Sequence, residues 1–587
     1  MSTRIIQALL CLTLLSGIAP SLWAAQEIIL IFTGETHAML YPCNCPIEPD
    51  GGVARRAAMI KQLRASNRNV LVVDSGGFFA GGLMDEYSQN TELDRLRTAV
   101  QVKAMSAMAY DAAAIADDEF NFGADFFSRM VSEASFPFVS ANIPAQGPDL
   151  HGIKPFVIKR AGGLNIGIIG ITGLFAQKKI PGISLEEPAA ALQRTIKEVR
   201  AHGAEIIILL SHQGESEDLK LIEEVEGIDI LVIGHSRMKE EISTKIRDTL
   251  ILRPSWQGRR LGVLSFQVSD GKVSEYKATE LRLSDKVFDD QTVKNFLPRC
   301  FSSVNCKLEN SVGTCLNPGT MQAECRFSQA SRVEVTVVVP RSCVTCDTAK
   351  TLSNIKHHIP GAAATYLYYP EPGTEKLLKE LGINTLPAYL LDATAEKEEG
   401  FAALQDNLQK RGKFYFVNPR FSGFSYFAFR DRIKGRIDLF ISLLDKDTDK
   451  VLEVTRPFNP EVHFLTVEGE GADAGMFSAI HGKGEVEECL RSVCVQKYYP
   501  EAFFDYLICR AKHKDSSWWE DCLAAEQLQP IRMCARGDEA RRLLRENIGL
   551  NKELGVMFGP TFLIENQEIF ATQGAPTKEQ LSKILRR

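Results

Sequence analysis

Five short, almost wholly apolar runs punctuate the first half of this chain, and each is followed at once by polar residues of the kind that bind ions. The runs are Ile28–Phe32, Val70–Val73, Ala112–Ile115, Ile206–Leu210 and Ile230–Ile233. Helical patterns such as Glu92–Met108 and Ala189–His202 lie between them. Strands with no polar face must be buried on both sides, so strand–helix alternation of this kind predicts an α/β domain with covered sheets.

The residues after the runs are Glu35-Thr-His37, Asp74-Ser-Gly-Gly77, Asp117-Asp118-Glu119, His212 and Gly234-His235. In α/β sheets ligands bind beyond the carboxyl ends of the strands, where such residues converge. Imidazole and carboxylate together suit zinc, manganese or iron. A single one of these histidines reads as a cap or a bonded core residue; the set reads as a metal site.

At 587 residues the chain exceeds what one core can organise. Arg4 and the apolar run Ile5–Leu15 read as an export signal cut after Ala24, too short to span a bilayer. No later stretch is apolar enough to anchor the mature chain, which is expected in the periplasm of a bacterial source. The net charge of −6 offers no basic surface for nucleic acid. Fourteen cysteines agree with an oxidising compartment, and with Cys11 in the leader an odd number remains. Cys43-Asn-Cys45 reads as a loop staple, a labile disulfide or a metal-binding pair.

Residues 291–330 lose periodicity and hold Cys300, Cys306, Cys315 and Cys325. Their spacings favour disulfides over a zinc cluster, with three pairings open. From Arg332 the α/β pattern returns. A strand at Val333–Val339 leads into Cys343-Val-Thr-Cys346 and a helix from near Asp347, with Leu386-Pro387 further on. A thiol at a helix N-terminus beside Arg341 should be biased toward thiolate, with Cys343 attacking and Cys346 resolving. A structural bridge or half a zinc site is the plainer reading. A second module follows, with a strand at Arg436–Ile441, a helical stretch carrying Cys489, Cys494, Cys509, Cys522 and Cys534, and Phe558-Gly-Pro560-Thr561.

With Gly51-Gly-Val-Ala-Arg55-Arg56, Phe136-Pro-Phe-Val-Ser-Ala-Asn142 and Gly227-Ile-Asp-Ile-Leu-Val-Ile-Gly234-His235 added, residues 26–285 resemble the calcineurin-like metallophosphoesterases, in the branch holding the periplasmic 5′-nucleotidases. The resemblance implies two metals activating water against a phosphate ester. It also marks departures. Glu35 replaces an aspartate, Gly77 falls where the metal-bridging aspartate belongs, Asp117 and Asp118 replace an Asn-His pair, and Arg237 replaces a histidine ligand. One divalent ion (zinc, manganese or iron) on Asp117, His212 and His235 is therefore expected, with Glu35 and His37 as a weaker second position. Asp118 is expected to repel phosphate. The later modules resemble the thioredoxin fold, Pro387 matching its cis-proline; the second lacks the dithiol, having Ser442-Leu-Leu-Asp445 there.

The expected architecture is thus a multidomain α/β chain. Its segments are a leader (1–24), a metallophosphoesterase-like sandwich (25–290), a cysteine-rich linker (291–330), a thioredoxin-like domain with Cys-x-x-Cys (331–433) and a second thioredoxin-like domain with a helical insertion (434–587). The favoured function is thiol–disulfide exchange with exported protein thiols or disulfides, with Cys343, Cys346 and Pro387 as catalytic residues. The metallophosphoesterase-like domain is expected to have a degenerate, non-hydrolytic dinuclear site and to serve as a recognition scaffold. The alternative is a metal-dependent phosphoesterase acting on a phosphorylated small molecule.

Overall fold

The computed structural model describes residues 27–46, 48–144, 150–180, 184–235, 241–469, 475–572 and 574–585. The leader and Arg237 lie outside the described residues. Two compact units emerge, the first ending at Ser328 and the second beginning at Gln329.

The first unit contains twelve strands in two sheets: β1 Ile28–Thr33, β2 Val70–Asp74, β3 Ala112–Ala114, β4 Phe138–Val139, β5 Phe156–Ala161, β6 Leu164–Thr172, β7 Ile206–His212, β8 Ile230–Ile233, β9 Ser243–Ile246, β10 Thr249–Leu252, β11 Arg260–Ser269 and β12 Lys272–Arg282. The sheet orders are β12-β11-β1-β2-β3-β4 and β5-β6-β7-β8-β10-β9. Strands β1 to β4 run parallel, as do β6, β7, β8 and β10. The two six-stranded sheets stack as a sandwich. Their inner faces share a core in which Leu30, Phe32 and Val73 meet Ile168, Ile208 and Val232. Helices Val53–Ser66, Thr91–Ala107 and Ala124–Glu133 cover the outer face of one sheet, and Pro188–Ala201 and Glu215–Glu224 that of the other. That is why the strands carry no polar face.

The cysteine-rich segment packs onto this unit, burying Val293 and Phe301 in its core. Its hairpin, β13 Ser311–Leu316 and β14 Glu324–Gln329, is crossed by disulfides Cys300–Cys315 and Cys306–Cys325. A third disulfide joins Cys43 to Cys45.

The second unit starts with β15 Val333–Pro340, β16 Ala362–Tyr369, β17 Thr385–Leu386, β18 Ala388–Leu391, β19 Leu408–Arg411, β20 Phe414–Val417 and β21 Tyr426–Phe427. It continues through β22 Ile437–Ile441, β23 Glu461–Phe464, β24 Thr466–Glu468, β25 Phe477–Ala479, β26 Thr561–Ile564 and β27 Glu568–Ala571. Two main sheets form, β16-β15-β18-β20-β19 and β17-β21-β27-β26-β22-β23. In each, a parallel pair (β15 with β16, β22 with β23) adjoins antiparallel strands. The short strands β17 and β21 precede residue 434 yet pair into the second sheet, Tyr426 standing opposite Glu568. The two halves of this unit thus share a sheet. The helical stretch from Lys483 is stapled by Cys494–Cys534 and Cys509–Cys522, leaving Cys489 as a buried free thiol among the described residues. Where a dithiol is missing, Ser442 instead donates to the buried carboxylate of Glu485 at 2.5 Å. Among the described residues no helix is long and apolar enough to cross a membrane.

Candidate metal centre

Beyond Thr33 the backbone turns through Glu35, His37 and Ala38 with φ of 50°, 44° and 47°. Left-handed conformations are unfavourable for such residues and persist where the surroundings enforce them. Here the N–H groups of these residues donate to the carbonyls of Gly76, Gly77 and Phe78 at 2.9, 2.9 and 3.0 Å, which laces the β1 loop onto the β2 loop. The β2 loop is in turn gathered by the Glu119 carboxylate, which accepts from the amides of Gly77, Phe78, Phe79 and Ala116 at 3.2, 2.9, 3.2 and 2.6 Å. Burial still lifts Glu119 to about 7, outweighing those amides.

Glu35 is the hub. Its Oε1 lies 2.9 Å from His212 Nε2 and 3.1 Å from His235 Nδ1, and its Oε2 lies 2.9 Å from His37 Nε2. Burial favours its neutral form, but the positive charge of His212 and the three imidazole contacts win and hold the carboxyl far below its usual range. His212 ends β7 and is fully buried; its Nδ1 lies 3.0 Å from the Ser75 carbonyl. That carbonyl accepts a hydrogen bond from Nδ1–H and leaves Nε2 facing Glu35, the arrangement that orients imidazole ligands. Burial alone would lower His212, but Glu35 raises it to about 10. His235 is half exposed, its ring 5.4 Å from that of His212.

Gly77 has a reason to lack a side chain. A Cβ there would stand 3.1 Å from His212 Cε1 and 3.3 Å from Glu35 Cδ, at a φ of +75°. The longer side chain of Glu35 fills the space over this glycine.

His37 lies tilted against Trp256, ring centroids 4.8 Å apart, and its Nδ1 lies 3.2 Å from Asp118 Oδ2. Both ring nitrogens are buried at ion-pair distance from carboxylates but without in-line hydrogen bonds. Burial works against its charge, yet Asp118 and Glu35 lift His37 to about 9. Lys179, in the turn Leu174–Lys179, reaches Asp117 at 2.7 Å, Asp118 at 3.1 Å and Asn121 Oδ1 at 2.7 Å. No sequence motif marks this lysine. It and His37 hold Asp118 below its usual range against the effect of burial, so the charge expected to repel phosphate is already compensated.

Oxygen and nitrogen atoms of Glu35, His212 and His235 lie within 4.8 Å of one another. The structure therefore brings Glu35 together with the two histidines, while Asp117 turns to Lys179. One carboxylate and two imidazoles fit a divalent zinc, manganese or iron ion with positions left open. The buried Nε2 of His37 stands 2.9 Å from the other carboxylate oxygen of Glu35.

In the second unit Cys343 and Cys346 form a half-buried disulfide after β15. Helix Ala349–His358 starts beyond it, later than the sequence suggests. Arg341 is engaged by Glu371 at 2.5 Å and lies over the Tyr368 ring. The Leu386–Pro387 peptide is cis, as are Tyr369–Pro370 and Gly559–Pro560.

No family model matches the chain. Among curated proteins it is 28% identical over 345 residues to the snake venom 5′-nucleotidase of Naja atra, covering 52% of this chain and 63% of that one. It is 29% identical over 345 residues to the snake venom 5′-nucleotidase of Crotalus adamanteus, covering 52% and 56%. The chain thus spans about three fifths of the length of these relatives. Among solved structures, the 5′-nucleotidase precursor of Thermus thermophilus is 28% identical, with a TM-score of 0.41, over 46% of this chain and 57% of that one. Over about half its length, this chain is thus similar to 5′-nucleotidases.

Proposed function

We propose that the first unit is a metal-dependent hydrolase of phosphate esters, acting on a small nucleotide-like molecule at one divalent ion held by Glu35, His212 and His235. The convergence of those three side chains carries the reading. An ion at that point supplies Lewis-acid chemistry to a phosphoryl group. His212 is oriented by the Ser75 carbonyl, so its Nε2 is presented without a rotamer search. Lys179 places fixed positive charge beside Asp117 and Asp118, where an ester dianion would otherwise meet two carboxylates. Both venom relatives are named 5′-nucleotidases, which supports nucleoside monophosphates as first substrates to try. The test is phosphate release from nucleoside monophosphates with added manganese or zinc. Metal-dependent turnover that disappears in His212→Ala supports the reading, and equal turnover in that variant refutes it.

One observation favours a second activity in the other unit. A disulfide joins the ends of Cys343-Val-Thr-Cys346, on a part-exposed loop between a strand and the helix of a parallel pair. The unit is read as thioredoxin-like, exchanging disulfides with exported protein thiols. Capture of thiol partners by a Cys346→Ser variant tests it. Six disulfides among the described residues support export, to the periplasm of a bacterial source.

A further inference from the structure

The carboxylate of Glu568 reaches the Cys343–Cys346 loop from β27, far along the chain. Glu568 is buried, with 5% of its surface exposed. Its Oε1 accepts from the Val344 amide at 3.1 Å, the Thr345 amide at 3.0 Å and Thr345 Oγ1 at 2.8 Å, and stands 3.7 Å from Cys343 Sγ. Ser425 Oγ donates to the Thr345 carbonyl at 3.3 Å from beside β21. The two residues between the cysteines are thus gripped by the shared second sheet.

Features that would favour a thiolate here are engaged elsewhere. The amides of Val344 and Thr345 already serve a carboxylate. Arg341, at the end of β15, is paired with Glu371 ahead of helix Pro372–Leu381. On the segment before helix Ala349–His358, the only charged side chain after Cys346 is Asp347, which caps the Ala349 amide at 2.9 Å. Within the cluster that Cys343 and Cys346 pack against, the other titratable side chains are those of Tyr369 and Tyr426.

We propose that Glu568 is a positioning residue that keeps the Cys343–Cys346 pair in its disulfide form and makes it a reducing couple. This rests on the reading of the pair as an exchange site. In the exchange a thiolate of an external dithiol attacks Cys343 Sγ, a mixed disulfide forms, and the Cys343–Cys346 bond breaks as Cys346 leaves and takes up a proton. The second donor thiol then displaces Cys343, which is protonated in turn. Two electrons and two protons pass to the pair, and the donor becomes a disulfide. The incoming thiolate and the departing Cys343 thiolate both face the Glu568 carboxylate, and like charge disfavours each. The neutral disulfide bears no such penalty.

The experiment equilibrates the full-length protein with reduced and oxidised dithiothreitol at about pH 10, where the reduced Cys343 is a thiolate and meets the Glu568 charge, and follows Cys343 by alkylation and peptide mapping. Glu568→Gln, which keeps an acceptor but removes the charge, and Glu568→Ala should each shift the equilibrium about tenfold toward the dithiol, or about 30 mV. Cys343 of the reduced wild type should titrate above the roughly 8.5 of a free cysteine, and lower in both variants. Circular dichroism checks their fold. A wild-type Cys343 that titrates below that value overturns the proposal without reference to any variant, and so does a wild-type equilibrium in both folded variants. A pair that excess dithiothreitol cannot reduce removes the exchange reading itself. A pair that is reduced normally, with unshifted variants, removes only the role of Glu568.

Discussion

Glu35 Oε1 stands 2.9 Å from His212 Nε2, and the two side chains belong to different sheets, one in the loop after β1 and the other closing β7. Their meeting joins the two layers of the first unit at its candidate centre. A bound ion should therefore be one per chain by elemental analysis. Glu35→Gln should weaken its binding by at least roughly 10–100-fold, the range seen when a group that only orients a metal ligand is lost. His212→Ala combined with His235→Ala should leave no ion after dialysis. Two ions per wild-type chain, or retention by the double variant, would show that other residues bind.

Lys179 should matter to catalysis more than to metal content. Lys179→Met leaves Asp117 and Asp118 without their shared cation. We expect kcat/KM for a nucleoside monophosphate to fall about 100-fold, the scale of losing one preorganised charge contact, with the ion still bound. Steady-state kinetics alongside elemental analysis separates the two effects.

The buried Asp438 in the second unit gives a pH dependence with a definite sign. Burial favours its neutral form, but His463 at 2.9 Å and Arg436 at 2.8 Å outweigh that and hold it below its ordinary value. Its contribution to stability is therefore present above the unfolded Asp value of about 3.9 and is lost as pH falls through the lower folded value. Asp438→Asn should cost about 2 kcal/mol at neutral pH, because the charged hydrogen bonds to His463 and Arg436 are lost while Arg436 keeps only Glu461 at 2.8 Å. The cost should shrink below about pH 4, measured as urea midpoints across pH.

Cys489 should be inert in the native chain. Burial drives its thiol well above the usual range, and Thr466 Oγ1 donates to the sulfur at 3.5 Å. Native protein lacking residues 1–24 should show no thiol to a maleimide at pH 7, and unfolded unreduced protein about one. Prompt native labelling of Cys489 would contradict its placement.

Much of the first unit was legible because burial on both faces leaves a plain mark. Runs such as Ile206–Leu210, short, apolar and bounded by turn residues, fit a covered strand, and turns follow them, so the sequence puts Glu35, His37, His212 and His235 at strand ends. The division of labour among them was not legible. Whether Glu35 or Asp117 joins the histidines depends on the space above Gly77 and on Lys179, a residue in a turn with no periodic signal. The same holds for Glu568, which is 225 positions from Cys343 and meets it only because β21 and β27 pair. The helix expected near Asp347 starts at Ala349, and Arg341 is occupied by Glu371. The second of these comes from a partner 30 positions away, outside any local window.

The bridges Cys300–Cys315 and Cys306–Cys325 interlock, each having one end inside the loop closed by the other. Any single backbone cut from residue 301 to residue 324 therefore falls within at least one covalent ring. The resulting pieces cannot drift apart until a sulfur–sulfur bond is also broken. A protease acting on this hairpin would nick the polypeptide without shortening the molecule, and only gels run with reductant would reveal the damage.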